Sequence, residues 1–462
     1  MRFHSKPIDE HVEVPLADEG RLEESIAHWT RREGPQRAVA EGGNACYVLC
    51  VQPRDESDAS ELELAARVEE LSGLVSAQGD RVVGRQTHHL IRPDARTLIR
   101  SGVAARIGDD ARACGADLLV VDAELSPSQT RNLEDVTGLP VSDREAVILN
   151  VFERNATTRR ARIQVEIAHL EYLRPRIRGI GLNMDQQAGG IMGSRGPGET
   201  ASELLARRLD GRLADLRRRL AQLKQSDFAQ RKQRATAARV VLVGYTNAGK
   251  TSLMNGLTDA GLSARDRPFE TLDATSRCLT RHGGVVLLSD TVGFIRRLPE
   301  RLLASFESTL AEVAEASLLL VAVDVSDPEA ERHLATTYAM LQKLGAEQVP
   351  RLIVFNKTDR LAHGLDTARL AALSQAHPYA ALSSHDPQAV AALRDTILDT
   401  VRARHSVREV FVPYARHTVS AAIYARCRVL NAIATERGTQ YQIEAEPHIV
   451  DEIARSLRSK RV

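Results

Sequence analysis

The sequence has no apolar run of roughly eighteen residues, the length a membrane-spanning helix needs, and nothing at its start resembles a signal peptide. Residues 1–43 are polar and close on the turn-forming Glu41-Gly42-Gly43, so they predict a polar extension. These absences argue against stable membrane insertion and predict a cytoplasmic protein. Cysteine is also scarce. Cys46, Cys50, Cys114, Cys278 and Cys427 are odd in number, scattered and without metal-ligand spacing. They exclude a disulfide framework and read as small, mostly buried residues of a reducing compartment. Net charge is nearly missing too, at +1. That balance hides a local asymmetry, because residues 159–239 hold eighteen Arg or Lys against eight Asp or Glu. A basic segment of this kind suits a polyanionic partner, although a solvated helical face has the same composition.

What is present is a chain of 462 residues, too long for one compact core and consistent with about three folded domains. The expected class is α/β multidomain: a P-loop domain preceded by a small α/β domain and a helical hairpin, and followed by a small α+β tail domain. In residues 44–142, strand-like Cys46–Val51, a helix from Ser60 with Leu62, Ala65, Leu71 and Leu74 at helical spacing, a strand over 81–90, a helix over 94–113 and the apolar run Asp117–Asp122 alternate. Such alternation predicts a largely parallel sheet. Residues 143–238 read as a basic helical hairpin. Ile163, Ile167, Leu170, Leu173 and Ile177 mark one helix face, and Leu209, Leu213, Leu216, Leu220 and Leu223 form a heptad-like seam on a second helix. Between the two helices, residues 179–198 contain seven glycines and should form a tip that is mobile or ordered only by a ligand. Residues 404–462 suggest a strand over 407–413, a helix over 419–436 and a strand over 439–445.

Residues 239–403 carry the chemistry. The apolar run from Val240 ends in Gly244-Tyr245-Thr246-Asn247-Ala248-Gly249-Lys250-Thr251, which is Gly-x-x-x-x-Gly-Lys-Thr after a strand and before a helix. The glycines permit a tight turn, backbone N–H groups then face a phosphate, Lys250 reaches the β- and γ-phosphates, and the Thr251 hydroxyl binds Mg2+. A second apolar strand ends in Asp290-Thr291-Val292-Gly293, where Asp290 would hold Mg2+ through water and the Gly293 N–H would meet the γ-phosphate. Upstream, Phe269-Glu270-Thr271-Leu272-Asp273 precedes that strand, and Thr271 and Thr275 are both candidates to complete the metal shell. A third strand ends in Asn356-Lys357-Thr358-Asp359. A carboxylate at Asp359 accepts from N1–H and the 2-amino group of guanine, which adenine does not offer, so the expected nucleotide is GTP. Asn356 would support the loop, Lys357 would lay its stem over the base, and Ser383-Ser384-His385 would face the guanine oxygen.

These motifs, together with Asp143–Arg154, Gln164–Ala168, Arg174–Gly179, Arg195–Thr200, Thr271-Leu272-Asp273 and Asp290–Phe294, resemble those of HflX-type GTPases, ribosome-associated translational GTPases. The resemblance spans roughly residues 45–400. It implies a GTP hydrolase that uses Mg2+ and partners the large ribosomal subunit and its RNA, as a monomer and without DNA. It also favours Thr271 over Thr275 and makes Lys250, Thr271 and Gly293 the catalytic set. The chain departs from the family pattern at Ala201–Arg208, in the loop before it, at Leu98–Arg106, and at Ser383–His385, where Ser-Ala-Lys is usual.

After Asp-x-x-Gly stands Phe294, which cannot orient a water molecule, so intrinsic hydrolysis should be slow and partner-stimulated. Asn247 offers a neutral oxygen to a monovalent cation such as K+, or else braces the loop. Arg195, Arg207 and Arg208 are candidate phosphate contacts on RNA; no aromatic residue stands among them, so base stacking is not indicated.

Overall fold

The computed structural model describes residues 43–53, 61–177, 201–233, 238–258, 275–280, 286–291, 293–361, 364–403, 406–445 and 447–458. They fall into two compact units, one made of the described residues within 1–58 and 79–147, the other of those within 59–78 and 148–462. The polar extension and the glycine-rich stretch 179–198 lie outside the described residues. No described helix is long and apolar enough to cross a membrane.

In the first unit, β1 (Ala45–Pro53), β2 (Arg81–Leu90), β3 (Leu118–Val121) and β4 (Val141–Asp143) form a parallel sheet in the order β2-β1-β3-β4. Helix α1 (Glu61–Ala77), between β1 and β2 in sequence, groups with the second unit. The core joins Leu49 and Val51 of β1 to Leu119 and Val121 of β3, to Ile107 of α2 (Ser101–Ala113) and to Leu133 of α3 (Pro127–Thr137). Helix α2 begins later than the apolar spacing suggests. The Asp94 carboxylate accepts the N–H groups of Arg96 (2.8 Å) and Thr97 (3.1 Å), and a side chain that bonds its own backbone this way competes with helix formation.

The stretch from Asp143 to Ile177 is not one helical run. Asp143 ends β4 and accepts the Ala146 N–H at 2.8 Å, starting α4 (Arg144–Asn155). Thr158 then receives the Ala161 N–H at 3.1 Å near the start of α5 (Arg159–Ile177). Helix α5 packs on α6 (Ala201–Gln233), where Leu209, Leu213, Leu216 and Leu220 are buried. Arg174 pairs with Asp210 (2.6 Å), Arg212 with Glu166 (2.8 Å) and Arg217 with Glu171 (2.7 Å), while Asp215 takes both Arg218 (2.5 Å) and Arg219 (2.7 Å). Five arginines of the basic segment thus engage acids of the same two helices.

The second unit also holds a six-stranded sheet in the order β10-β9-β8-β5-β7-β6. Its strands are β5 (Ala238–Gly244), β6 (Thr275–Thr280), β7 (Val286–Asp290), β8 (Leu318–Asp324), β9 (Arg351–Asn356) and β10 (Tyr379–Ala381). All neighbours are parallel except β6 and β7. β5, β8 and β9 read as nearly continuous Val, Ile and Leu because parallel strands are covered on both faces. The helices of this region are α7 (Lys250–Thr258), α8 (Glu300–Ala314), α9 (Ala330–Lys343), α10 (Thr367–Ser374) and α11 (Pro387–Arg402).

At the C-terminal end, β11 (Ser406–Pro413), β12 (Arg428–Thr435) and β13 (Gly438–Ala445) form an antiparallel sheet in the order β11-β13-β12. Helices α12 (His417–Arg426) and α13 (Pro447–Arg458) pack against its apolar face. The helix expected over 419–436 is therefore only half helix. It stops at Arg426, and the rest pairs with β13, which gives Val429, Ile433 and Thr435 a pleated surface that suits β-branched side chains.

The Arg144–Asp122 pair (2.7 Å) is almost wholly buried and ties α4 to the end of β3. Removing one partner of such a pair strands a buried charge. We expect Asp122→Ala to lower the stability of the first unit by about 3–5 kcal/mol, read as faster hydrogen exchange in β3 and β4; exchange unchanged from the wild type would refute this.

Candidate functional site

The site forms where β5 ends at the middle of the six-stranded sheet, with β7 and β8 on either side, the position at which open parallel sheets bind ligands. Gly244 leaves the strand at φ +147°, and a Cβ there would press into the Ala322 carbonyl. Gly249 turns at φ +85°, where a Cβ would strike the Asn356 amide. Asn247, exposed on the loop, adopts φ +62°, a left-handed conformation that Asn tolerates better than most residues. Lys250 opens α7 and folds back, its Nζ donating to the carbonyls of Tyr245 (2.7 Å) and Gly244 (3.2 Å). Burial lowers its pKa from 10.5 to about 8; nearby Asp290 opposes that shift and Lys357 adds to it.

Thr251 Oγ1 donates to Asp290 Oδ2 at 3.1 Å, which brings together the two residues expected at a metal. Asp290 is fully buried, and the Thr291 hydroxyl anchors the same segment on the Leu242 carbonyl at 2.7 Å. A Cβ on Gly293 would stand 3.0 Å from Lys250 Nζ and from Thr246 Cγ2, so this glycine permits a close approach. The next residue pairs with the phosphate loop itself: Thr246 N–H donates to the Phe294 carbonyl (2.7 Å), and Phe294 N–H to the Gly244 carbonyl (3.0 Å). The Phe294 side chain is 1% exposed. It is a core residue whose backbone holds two signature segments together.

The base-side residues converge through Asn356, which is fully buried. Its Nδ2 donates to the Ala248 carbonyl (3.0 Å) and its Oδ1 accepts the Ser384 N–H (2.9 Å), so one amide bridges the phosphate loop and residues 383–385. Thr358 N–H reaches the Leu382 carbonyl at 3.4 Å, and His385 N–H donates to Ser383 Oγ at 3.2 Å. The Ser383 hydroxyl bonds Asp359 and holds its carboxyl below the usual range. Lys357, at φ +62°, places Nζ 2.7 Å from Asp324 at the end of β8.

Sequence reasoning passed over Asp324, although its place at the end of an apolar parallel strand was a usable signal. It also grouped Tyr245 with the nucleotide contacts. The Tyr245 side chain is buried, stacks on His333 (ring centroids 3.8 Å apart) and donates to Glu70 of α1, which leaves its backbone to the loop. Phe269, Glu270, Thr271, Leu272, Asp273, Val292 and Arg195 lie outside the described residues.

The donor set suits Mg2+. A hydroxyl and a carboxylate are hard oxygen ligands, and an ion that keeps waters and takes phosphate oxygens needs few protein ligands. No cluster of three or more His, Cys, Asp or Glu able to hold a metal occurs among the described residues.

Two outcomes follow from this geometry. Lys250 is largely protonated below about pH 8, and an anionic phosphate favours the charged form, so phosphate binding above that pH must draw in a proton. GDP affinity should be flat at lower pH and fall up to about tenfold per unit as pH rises beyond 8; a flat titration to pH 9.5 by calorimetry would show that the ammonium is not engaged. Asp359→Asn should weaken GDP at least about a hundredfold while improving xanthosine diphosphate, because the amide donates where the carboxylate accepts. Equal weakening of both nucleotides in competition binding would count against Asp359 as the base contact.

The chain matches three family descriptions in succession: "GTP-binding GTPase N-terminal" over residues 65–153, "GTP-binding GTPase Middle Region" over 155–234, and "50S ribosome-binding GTPase" over 239–357. A GTPase HflX from Gluconacetobacter diazotrophicus is 40% identical over 446 residues, covering 95% of this chain and 96% of the relative. GTPase HflX from Escherichia coli (strain K12) is 37% identical over 318 residues, covering 68% and 72%. Among solved structures, a GTP-binding protein from the archaeon Sulfolobus solfataricus in complex with GDP aligns at 22% identity with a TM-score of 0.42, covering 77% of this chain and 98% of that one. Similar to a GTPase HflX across nearly its whole length, and carrying the guanine-nucleotide GTPase motifs in order, the chain belongs to the HflX family of GTPases and is a GTP hydrolase.

Proposed function

We propose that the protein binds the large ribosomal subunit in its GTP state and acts in ribosome splitting and recycling or in subunit biogenesis, with hydrolysis resetting the switch. The observation that carries this reading is the match of residues 239–357 to a family described as a 50S ribosome-binding GTPase, directly after an arginine-rich helix pair. Lys250 and the loop amides hold the phosphates, and the Gly293 backbone, packed on Lys250, senses the γ-phosphate. Thr251, Thr271 and, through water, Asp290 hold Mg2+, which neutralises charge on the phosphates. Because the Phe294 side chain is buried, no side chain at that position orients the attacking water; the intrinsic rate is slow and the ribosome supplies the missing element.

Arg207 and Arg208, exposed on α6, and Arg195 ahead of it are the RNA contacts in this reading. Arg212, Arg217, Arg218 and Arg219 contribute to the field while already oriented by acids. Asn247, exposed at φ +62°, either braces the loop through that left-handed backbone or offers its amide oxygen to a monovalent cation such as K+.

Ribosomes sedimented with the protein and a non-hydrolysable GTP analogue should shift to free subunits, with no shift in GDP, and binding should weaken steeply with salt. Intact ribosomes in every nucleotide state would refute splitting. A flat salt response would refute the electrostatic contact, and splitting by a hydrolysis-dead protein as fast as by the wild type over many rounds would refute the reset.

A further inference from the structure

Tyr245 stands in a buried cluster that phosphate binding does not use. Its hydroxyl donates to Glu70 of α1 and accepts the backbone N–H of Arg296 at 3.1 Å, while its ring lies on His333 of α9 at an interplanar angle of 11°. Burial, reinforced by the charge of Glu70, raises the phenol's pKa, so it remains a donor at physiological pH. Around it, the Arg296 guanidinium pairs with Glu329 at the start of α9, and Arg332 of the same helix pairs with Glu63 at 2.6 Å. Glu63 and Glu70 are two turns apart on one face of α1. That helix meets the phosphate loop and α9 through two carboxylates.

The chain consequence runs through Arg296, two residues past Phe294. Residues 244–246 hold residues 294–296 by three hydrogen bonds: two are backbone to backbone, and the third passes through the Tyr245 phenol. Only the third is oriented from outside the nucleotide domain, by Glu70. We propose that Glu70 is a positioning residue for GTP hydrolysis: through the Tyr245 hydroxyl it sets the backbone of residues 293–296, so that α1 controls the hydrolysis rate. This rests on the reading of Lys250 and Gly293 as γ-phosphate contacts.

The test uses the full chain. Tyr245→Phe deletes the hydroxyl and keeps the stacked ring; Glu70→Ala deletes the acceptor, and Glu70→Gln keeps one. Tyr245→Phe and Glu70→Ala should each lower kcat about tenfold, the order expected for one hydrogen bond to a reacting segment, with KM and GDP affinity within about twofold of wild type. Glu70→Gln should recover most of the loss, and the Tyr245→Phe/Glu70→Ala double variant should lose no more than either single one, as residues acting in one chain do. An unchanged kcat in Glu70→Ala overturns the proposal. So does a parallel fall in kcat and GDP affinity, which marks a brace for the loop rather than a rate-setting contact. Lys250→Ala separates the two readings: if it hydrolyses GTP normally, the γ-phosphate assignment has failed, whatever the Glu70 variants do.

Discussion

The short backbone pairing between Gly244–Thr246 and Phe294 is the constraint on which the rest of the site depends. It joins the end of β5 to the segment leaving β7, two strands that are already parallel neighbours. The pairing needs glycine at both ends of the approach, since a side chain at 244 would meet Ala322 and one at 293 would meet Lys250 and Thr246. Once it forms, Lys250 and Gly293 lie together, and the Thr251 hydroxyl reaches Asp290. Phe294 contributes by burial, which anchors the backbone next to Gly293 in the core.

Asn356 has the corresponding role on the base side. An uncharged amide with both a donor and an acceptor satisfies the Ala248 carbonyl and the Ser384 N–H at once, which a carboxylate, an acceptor only, does not match. Its full burial makes each unmade bond expensive, so the three segments that it joins, far apart in sequence, are tied at one point. The loop at Ala248 and the turn at Ser384 are therefore bridged by this one side chain.

Much of this was legible in the sequence for a physical reason. The phosphate loop, Asp290–Gly293 and Asn356–Asp359 each follow an apolar β-branched strand, and a parallel sheet places such strand ends on one edge. What was not legible depended on distant partners. Glu70 and Tyr245 are 175 residues apart, and no local pattern connects them. The arginine excess was readable as a count but not as the ion pairs that knit α5 to α6. The stretch 419–436 has helical spacing throughout, and only pairing with β13 converts its second half to a strand. Likewise Phe294 advertised what it lacks, whereas its burial is a property of the assembled sheet.

Lys357 sits at φ +62° with a full side chain, a geometry that costs a non-glycine residue about 1–2 kcal/mol. Such a conformation persists only where its surroundings over-determine it. The preceding residue, Asn356, is pinned by its bonds to the Ala248 carbonyl and the Ser384 N–H, and Asp324 holds the lysine head from the end of β8. The turn that presents Asp359 is thus sprung, and Asp324, without touching a base, is the latch that keeps it wound.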